Sequence, residues 1–156
     1  MESSYIKSSI FGTFDGLTSL LGVVISLLAY TRGADDSLIF TACMGLAVSS
    51  AISMGLGEYI SSDKDAPLGE RASSALLMGF FTGLGCILPA IPFALLQGSE
   101  ALVASGLVYA VATLGVALLK VPDMGWWRAL ATTYIVSAIA MGLVIGVSLF
   151  LPVPPG

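Results

Sequence analysis

Two carboxylates and one thioether are the side chains of this sequence best placed to do chemistry. Asp15 lies inside the first long apolar run, Glu58 lies near the end of the second, and Met54 precedes Glu58 by one helical turn. A carboxylate at the centre of a membrane costs roughly 2.5–3.5 kcal/mol on insertion scales, so such residues persist where they face water, a partner charge or an ion. Two of them at similar depth make a functional site the first hypothesis. Asp15 and Glu58 offer hard oxygen ligands and Met54 a soft sulfur. The hydroxyls of Thr18, Ser19, Ser50 and Ser53 could complete a shell. Oxygen ligands suit Mg²⁺, Mn²⁺ and Fe²⁺, and a thioether shifts preference toward later transition metals. The chain has no histidine, which excludes imidazole ligation. A mixed oxygen–sulfur set without imidazole or thiolate points to Fe²⁺ or Mn²⁺ more than Zn²⁺ or Cu⁺. A carboxylate that binds a metal also binds protons, so the two compete for one site, the minimum machinery for exchange. Plainer roles exist for each residue. Asp15 could hydrogen-bond a neighbouring helix, Glu58 could reach to the interface, and Met54 could simply pack.

The elements that must hold these side chains follow from composition. Of 156 residues, 56% are hydrophobic and 10% charged, against about 25% charged in soluble domains. Mean hydropathy is +0.97. This is the signature of an all-α integral membrane protein. No basic tract suggests nucleic acid, and no linker separates a second domain, so residues 1–156 read as one transmembrane domain. The N-terminal apolar run is too long for a signal peptide and carries Asp15, so it reads as a retained helix. Cys43 and Cys86 fall in apolar runs and read as small buried hydrophobes, with a disulfide or a soft-metal site as the minor alternatives.

About 20 residues at 1.5 Å each span the hydrocarbon. Five stretches qualify: 9–30, 38–61, 72–96, 100–120 and 128–151. Charged or proline-containing junctions separate them, including Thr31–Ser37, Ser62–Arg71, Gln97–Glu100 and Val121–Trp127. Lys7, Lys64, Arg71, Lys120 and Arg128 fall on one side, and Arg32 on the other. The positive-inside rule therefore sets the N-terminus in the cytoplasm and the C-terminus outside or in a lumen. Asp15 and Glu58 then share the cytoplasmic leaflet. On helix 2, Ala47, Ala51 and Gly55 form a close-packing stripe, and Ser50, Met54 and Glu58 a polar one. Gly79/Gly83 and Gly142/Gly146 give further GxxxG spacings. Pro89 and Pro92 each remove a backbone donor from helix 3, where a kink, a simple bend or an early helix end are all open.

Read together, these segments resemble the vacuolar iron transporter family. The residues that carry the resemblance are Phe14-Asp15-Gly16-Leu17-Thr18 in helix 1 and Ala51-Ile52-Ser53-Met54-Gly55-Leu56-Gly57-Glu58-Tyr59 in helix 2. The polar stretch Ser61–Asp65 follows, and helix 3 adds Gly85-Cys86-Ile87-Leu88-Pro89-Ala90-Ile91-Pro92-Phe93. Helices 4 and 5 match only generically. The resemblance implies a parallel homodimer that moves Fe²⁺ and often Mn²⁺ out of the cytoplasm in exchange for protons. Its path would run near the two-fold axis between helices 1 and 2, with Asp15 and Met54 on it and Glu58 matching the glutamate of bacterial-like members. No enzymatic step and no resident cofactor are implied; the metal is cargo. A short, bacterial-like member implies a prokaryotic plasma membrane, with the vacuolar membrane as the eukaryotic counterpart.

Two departures from the plant-type pattern stand out. The Glu-rich insert between helices 2 and 3 is reduced to Ser62–Arg71, leaving Asp63, Asp65 and Glu70 as either solvated loop charges or a remnant metal inlet. The plant-type glutamate two turns deeper on helix 2 falls at Leu46. A small proton-coupled organic-cation exporter and a non-transporting scaffold or accessory subunit are the competing readings.

Overall fold

Apolar runs interrupted by short polar junctions build five helices: α1 (Glu2–Thr31), α2 (Asp36–Ser61), α3 (Leu68–Leu95), α4 (Gly98–Met124) and α5 (Trp126–Phe150). A computed structural model of the protein describes residues 2–31 and 35–150, with side chains from Tyr5 onward and Leu149 excepted. Arg32 and residues 151–156, which carry part of the expected orientation and the end of the expected fifth span, lie outside the described residues. Each of the five helices is long and apolar enough to cross a membrane, and the described residues contain no strand.

Successive helices run antiparallel, and α3 is the hub. It packs most extensively against α2 and α1, with α4 along its flank. The reason lies in its small residues. A Cβ added at Gly79 would sit 2.6 Å from the Ala51 carbonyl, and one at Gly55 would sit 3.1 Å from the Ala75 carbonyl. The stripe Ala47–Ala51–Gly55 and the pair Gly79/Gly83 are therefore the two sides of one close helix contact, the usual way membrane helices gain packing energy. A second contact of this kind joins α1 to α3. A Cβ at Gly12 would lie 2.5 Å from the Met78 carbonyl, and one at Gly16 would meet the Thr82 carbonyl. Gly12 and Gly16 have GxxxG spacing too, a signal as readable in the sequence as the one in helix 3. Gly142 and Gly146 face nothing within 4 Å, so the α5 spacing makes no close contact within the chain.

Leu20, Val24, Ile39, Cys43, Cys86 and Phe93 form the core between α1, α2 and α3. Both cysteines are buried and free, as the small-hydrophobe reading expects. The Cys86 thiol donates to the Gly16 carbonyl at 3.2 Å. Ile10, Leu17, Tyr109 and Val116 form a second cluster between α1 and α4.

Three helix boundaries differ from expectation by four residues or more. First, α1 starts at Glu2, seven residues early. Second, α3 starts at Leu68, four residues early, behind Pro67, whose φ of −55° suits a helix N-terminus. At its other end the expected span to residue 96 is matched: α3 continues through Pro89 and Pro92 to Leu95, so neither proline ends it. Third, Val121–Trp127 is not a loop: α4 runs through Pro122 to Met124. Pro122 forfeits one helical bond two residues before the end, a small loss there. Gly125, at φ 81°, turns the chain directly into α5. At the opposite end, Asp35 accepts from the Leu38 N–H at 2.9 Å and caps α2. Asp36 accepts from the Gly98 N–H at 2.6 Å and ties the start of α2 to the start of α4.

Candidate functional site

The seam between α1 and α2 is built from one fixed point. The Ser8 hydroxyl donates to the Glu58 carboxylate at 3.0 Å, which faces Glu58 toward α1 and sets the level of the two helices. Asp15 stands seven residues after Ser8, two turns on, so it lies on nearly the same face of α1. At 1.5 Å per residue it is about 10 Å deeper. Met54, four residues before Glu58 on α2, is about 6 Å deeper than Glu58 on the adjoining face. Glu58, Met54 and Asp15 therefore form a ladder of carboxylate, thioether and carboxylate along one seam. The expectation of two carboxylates at similar depth is corrected accordingly: they stand about two turns apart, because the Ser8–Glu58 contact sets how far α1 slides along α2.

Asp15, Met54 and Glu58 are each half-buried. The Asp15 carboxylate takes no hydrogen bond from the described residues, although Gly12 and Gly16 on either side of it are pressed against α3. It is thus held in place by the backbone with its oxygens uncommitted. Its expected supporting residues divide. Thr18 donates to the Phe14 carbonyl at 2.8 Å, leaving only its lone pairs for a ligand. Ser19, one turn beyond Asp15, lines a groove of about 670 Å³ with Gly22 and Ser26 of α1, Ala42 of α2 and Val144 and Val147 of α5. Ser50 is half-buried on the Met54 face, and Ser53 is exposed.

At the Glu58 end of the seam, Glu58, Ser62, Asp63, Glu70, Arg71 and Ser74 line a pocket of about 230 Å³. Asp63 and Glu70 are thus brought to the mouth of the ladder, while Asp65 is not among the lining residues. Glu70 sits in the first turn of α3, where a negative charge is favourable. Arg71 stands among these acids but is held by Tyr59. Its Nη2 donates to the Tyr59 carbonyl at 3.1 Å, and its guanidinium lies 4.7 Å from the Tyr59 ring centroid. No group of three or more Asp, Glu or Cys side chains among the described residues is placed to hold a metal ion. One chain supplies a ladder of single ligands and not a closed shell.

A family comparison bears directly on this seam. Residues 6–72 match the VIT family. The match is consistent with a short member of the vacuolar iron transporter family, and it points to a membrane metal-ion transporter. The VIT segment spans α1, α2 and the first turn of α3, so Asp15, Met54, Glu58 and the acids of the 230 Å³ pocket all fall inside it. Pro89 and Pro92 lie beyond it. No curated protein and no solved structure gives a significant match to the chain.

Sequence reasoning missed the Ser8–Glu58 bond and the Tyr59–Arg71 clamp. Both join residues far apart in the chain, and nothing in their spacing signals the pairing.

Proposed function

We propose that the chain is a proton-coupled carrier that moves Fe²⁺ or Mn²⁺ out of the cytoplasm, acting as a parallel homodimer in a prokaryotic plasma membrane. The single observation that carries this reading is the uncommitted Asp15 carboxylate on the same seam as Met54 and Glu58, inside the VIT-matching segment. Carboxylates in an apolar helix persist where they meet an ion or water. Because the described residues of one chain bring no three Asp, Glu or Cys side chains together, a second copy facing the α1–α2 seam would double the ladder and close a shell around one axis. The Glu58 end, with Asp63 and Glu70, lies on the side to which Lys7, Lys64 and Arg71 assign the cytoplasm, so it serves as the inlet. Each carboxylate on the path releases a proton when it takes a metal ion and regains one when the ion leaves, which couples the two flows. The protein performs no bond chemistry in this reading, and the metal is its substrate.

The test is uptake of Mn²⁺ and of Fe²⁺ by proteoliposomes under an imposed pH gradient. Uptake that grows with the gradient and is accompanied by proton flow in the opposite direction supports the exchange. Failure to take up any divalent metal would favour a scaffold, and competition of Mn²⁺ uptake by a lipophilic cation would favour an organic-cation exporter.

A further inference from the structure

A second polar file runs inside the protomer, apart from the α1–α2 seam. Ser105, Tyr109 and Thr113 follow one another at i, i+4 along a single face of α4. Lys120 comes seven residues after Thr113, on the same side. From Ser105 to Lys120 is about 22 Å of helix, most of the roughly 30 Å hydrocarbon thickness. These groups are deeply buried: Thr113 is 0% exposed, Ser105 5% and Tyr109 9%. The file is anchored at both ends. The Lys120 ammonium donates to the Thr133 hydroxyl of α5 at 3.4 Å, and Ser105 donates to the Pro89 carbonyl of α3 at 2.6 Å.

Between the anchors, the Tyr109 hydroxyl and the Thr113 hydroxyl find no hydrogen-bond partner among the described residues. Buried polar groups are almost always paired, with ordered water where protein supplies nothing. The prolines of α3 add an acceptor at the same level. Since α3 and α4 are antiparallel and Ser105 meets Pro89, Tyr109 stands level with Gly85, four residues on in one helix and four back in the other. Pro89 has no N–H, so the buried Gly85 carbonyl loses its ordinary helical donor. By level along the helices, a phenol, a threonine hydroxyl and a carbonyl without its ordinary helical donor fall within about one turn of one another.

We propose that Tyr109, Thr113 and the Gly85 carbonyl bind internal water, and that this hydrated file carries the proton that moves against the metal. The water site stands on the burial and pairing above; the proton role rests on the exchange reading of the preceding section. Neutral hydroxyls suit protons and not metals. A hydroxyl or water takes a proton on a lone pair and passes its own hydrogen to the next oxygen, so one O–H bond forms for each that breaks and no charge stays behind. A divalent cation would need carboxylates to offset its desolvation, and the file has none on Ser105, Tyr109 or Thr113. The metal would then keep to the α1–α2 seam, and the protons that the seam carboxylates exchange for it would travel through the α4 file.

The experiment pairs two readouts on the full chain. X-ray radiolytic labelling in ¹⁸O-enriched water marks side chains that touch bound water, and Tyr109 should acquire label despite its burial. An unlabelled Tyr109 overturns the water site. In proteoliposomes, the near-isosteric double variant Tyr109→Phe/Thr113→Val should lower Mn²⁺-driven proton flux at least tenfold, while Mn²⁺ affinity by calorimetry changes less than twofold. An unchanged ratio of protons to metal overturns the route. If the wild type moves Mn²⁺ with no proton flow at all, the exchange reading and the proton role fall together, and the label at Tyr109 decides the water site by itself.

Discussion

The Ser8 hydroxyl donates to the Glu58 carboxylate across 3.0 Å, joining α1 to α2 at a level seven residues before Asp15. This bond gives the α1–α2 seam its register. It holds Glu58 against the neighbouring helix, so Glu58 is a fixed member of the seam and not a side chain reaching freely to the interface. From it the depths of Met54 and Asp15 follow by helical rise alone.

Removing that bond should loosen the inlet without closing the path. Ser8→Ala deletes one hydrogen bond, worth about 1 kcal/mol. The Michaelis constant for Mn²⁺ uptake should rise about fivefold, the equivalent of that energy, with the maximal rate nearly unchanged. Initial rates across a range of Mn²⁺ concentrations in proteoliposomes check this.

Met54 should act through sulfur and not through bulk. Met54→Leu keeps the volume and removes the thioether, so it should weaken Fe²⁺ binding about tenfold and leave Mg²⁺ binding unchanged, as Met54→Ala should also do. Calorimetric titration with each metal separates the two. Retained Fe²⁺ affinity in Met54→Leu would make Met54 a packing residue.

The Tyr59–Arg71 clamp should keep the inlet acids available. Tyr59→Leu removes a cation–π contact worth about 0.5–1 kcal/mol and, although the bond to the residue-59 main-chain carbonyl stays, loosens a guanidinium beside Glu58, Asp63 and Glu70. Metal capture should weaken in Tyr59→Leu and recover in Tyr59→Leu/Arg71→Gln. Binding constants for the single and double variants give the answer, and a double variant no better than the single would rule out competition by Arg71.

The glycines of α3 and α5 should behave oppositely. Gly79→Leu would drive a side chain into the Ala51 carbonyl, where even a Cβ comes within 2.6 Å, and should cost about 1–3 kcal/mol through forced separation of α2 and α3. Gly142→Leu, with nothing within 4 Å, should change stability by less than about 0.5 kcal/mol. Thermal unfolding midpoints in detergent report both.

How much of this was legible beforehand depends on the kind of signal. The five helices were readable because hydropathy and span length are local properties of the chain. Asp15, Met54 and Glu58 stood out because charge and i, i+4 spacing are local too. The stripe of Ala47, Ala51 and Gly55 announced a close contact, though only the fold shows that Gly79 and Gly83 are its other side. One boundary differs where a proline reads as a break: Pro122 sits near enough to the end of α4 that losing one bond does not stop the helix. The relative depth of Asp15 and Glu58 was not readable, because it depends on how far α1 slides along α2, and that is set by Ser8, a residue with no distinguishing spacing. Tyr109 and Thr113 look like ordinary helix residues in the sequence. Their interest lies in missing partners, which only packing reveals.

The central claim is that the metal passes Asp15. The most direct measurement is Mn²⁺ uptake into proteoliposomes by Asp15→Asn, an isosteric change that removes the charge and keeps the amide-sized side chain between Gly12 and Gly16. Uptake should fall to the level of empty liposomes, while the thermal midpoint and the oligomeric state in detergent match the wild type. Uptake at the wild-type rate in a well-folded Asp15→Asn protein would contradict the account.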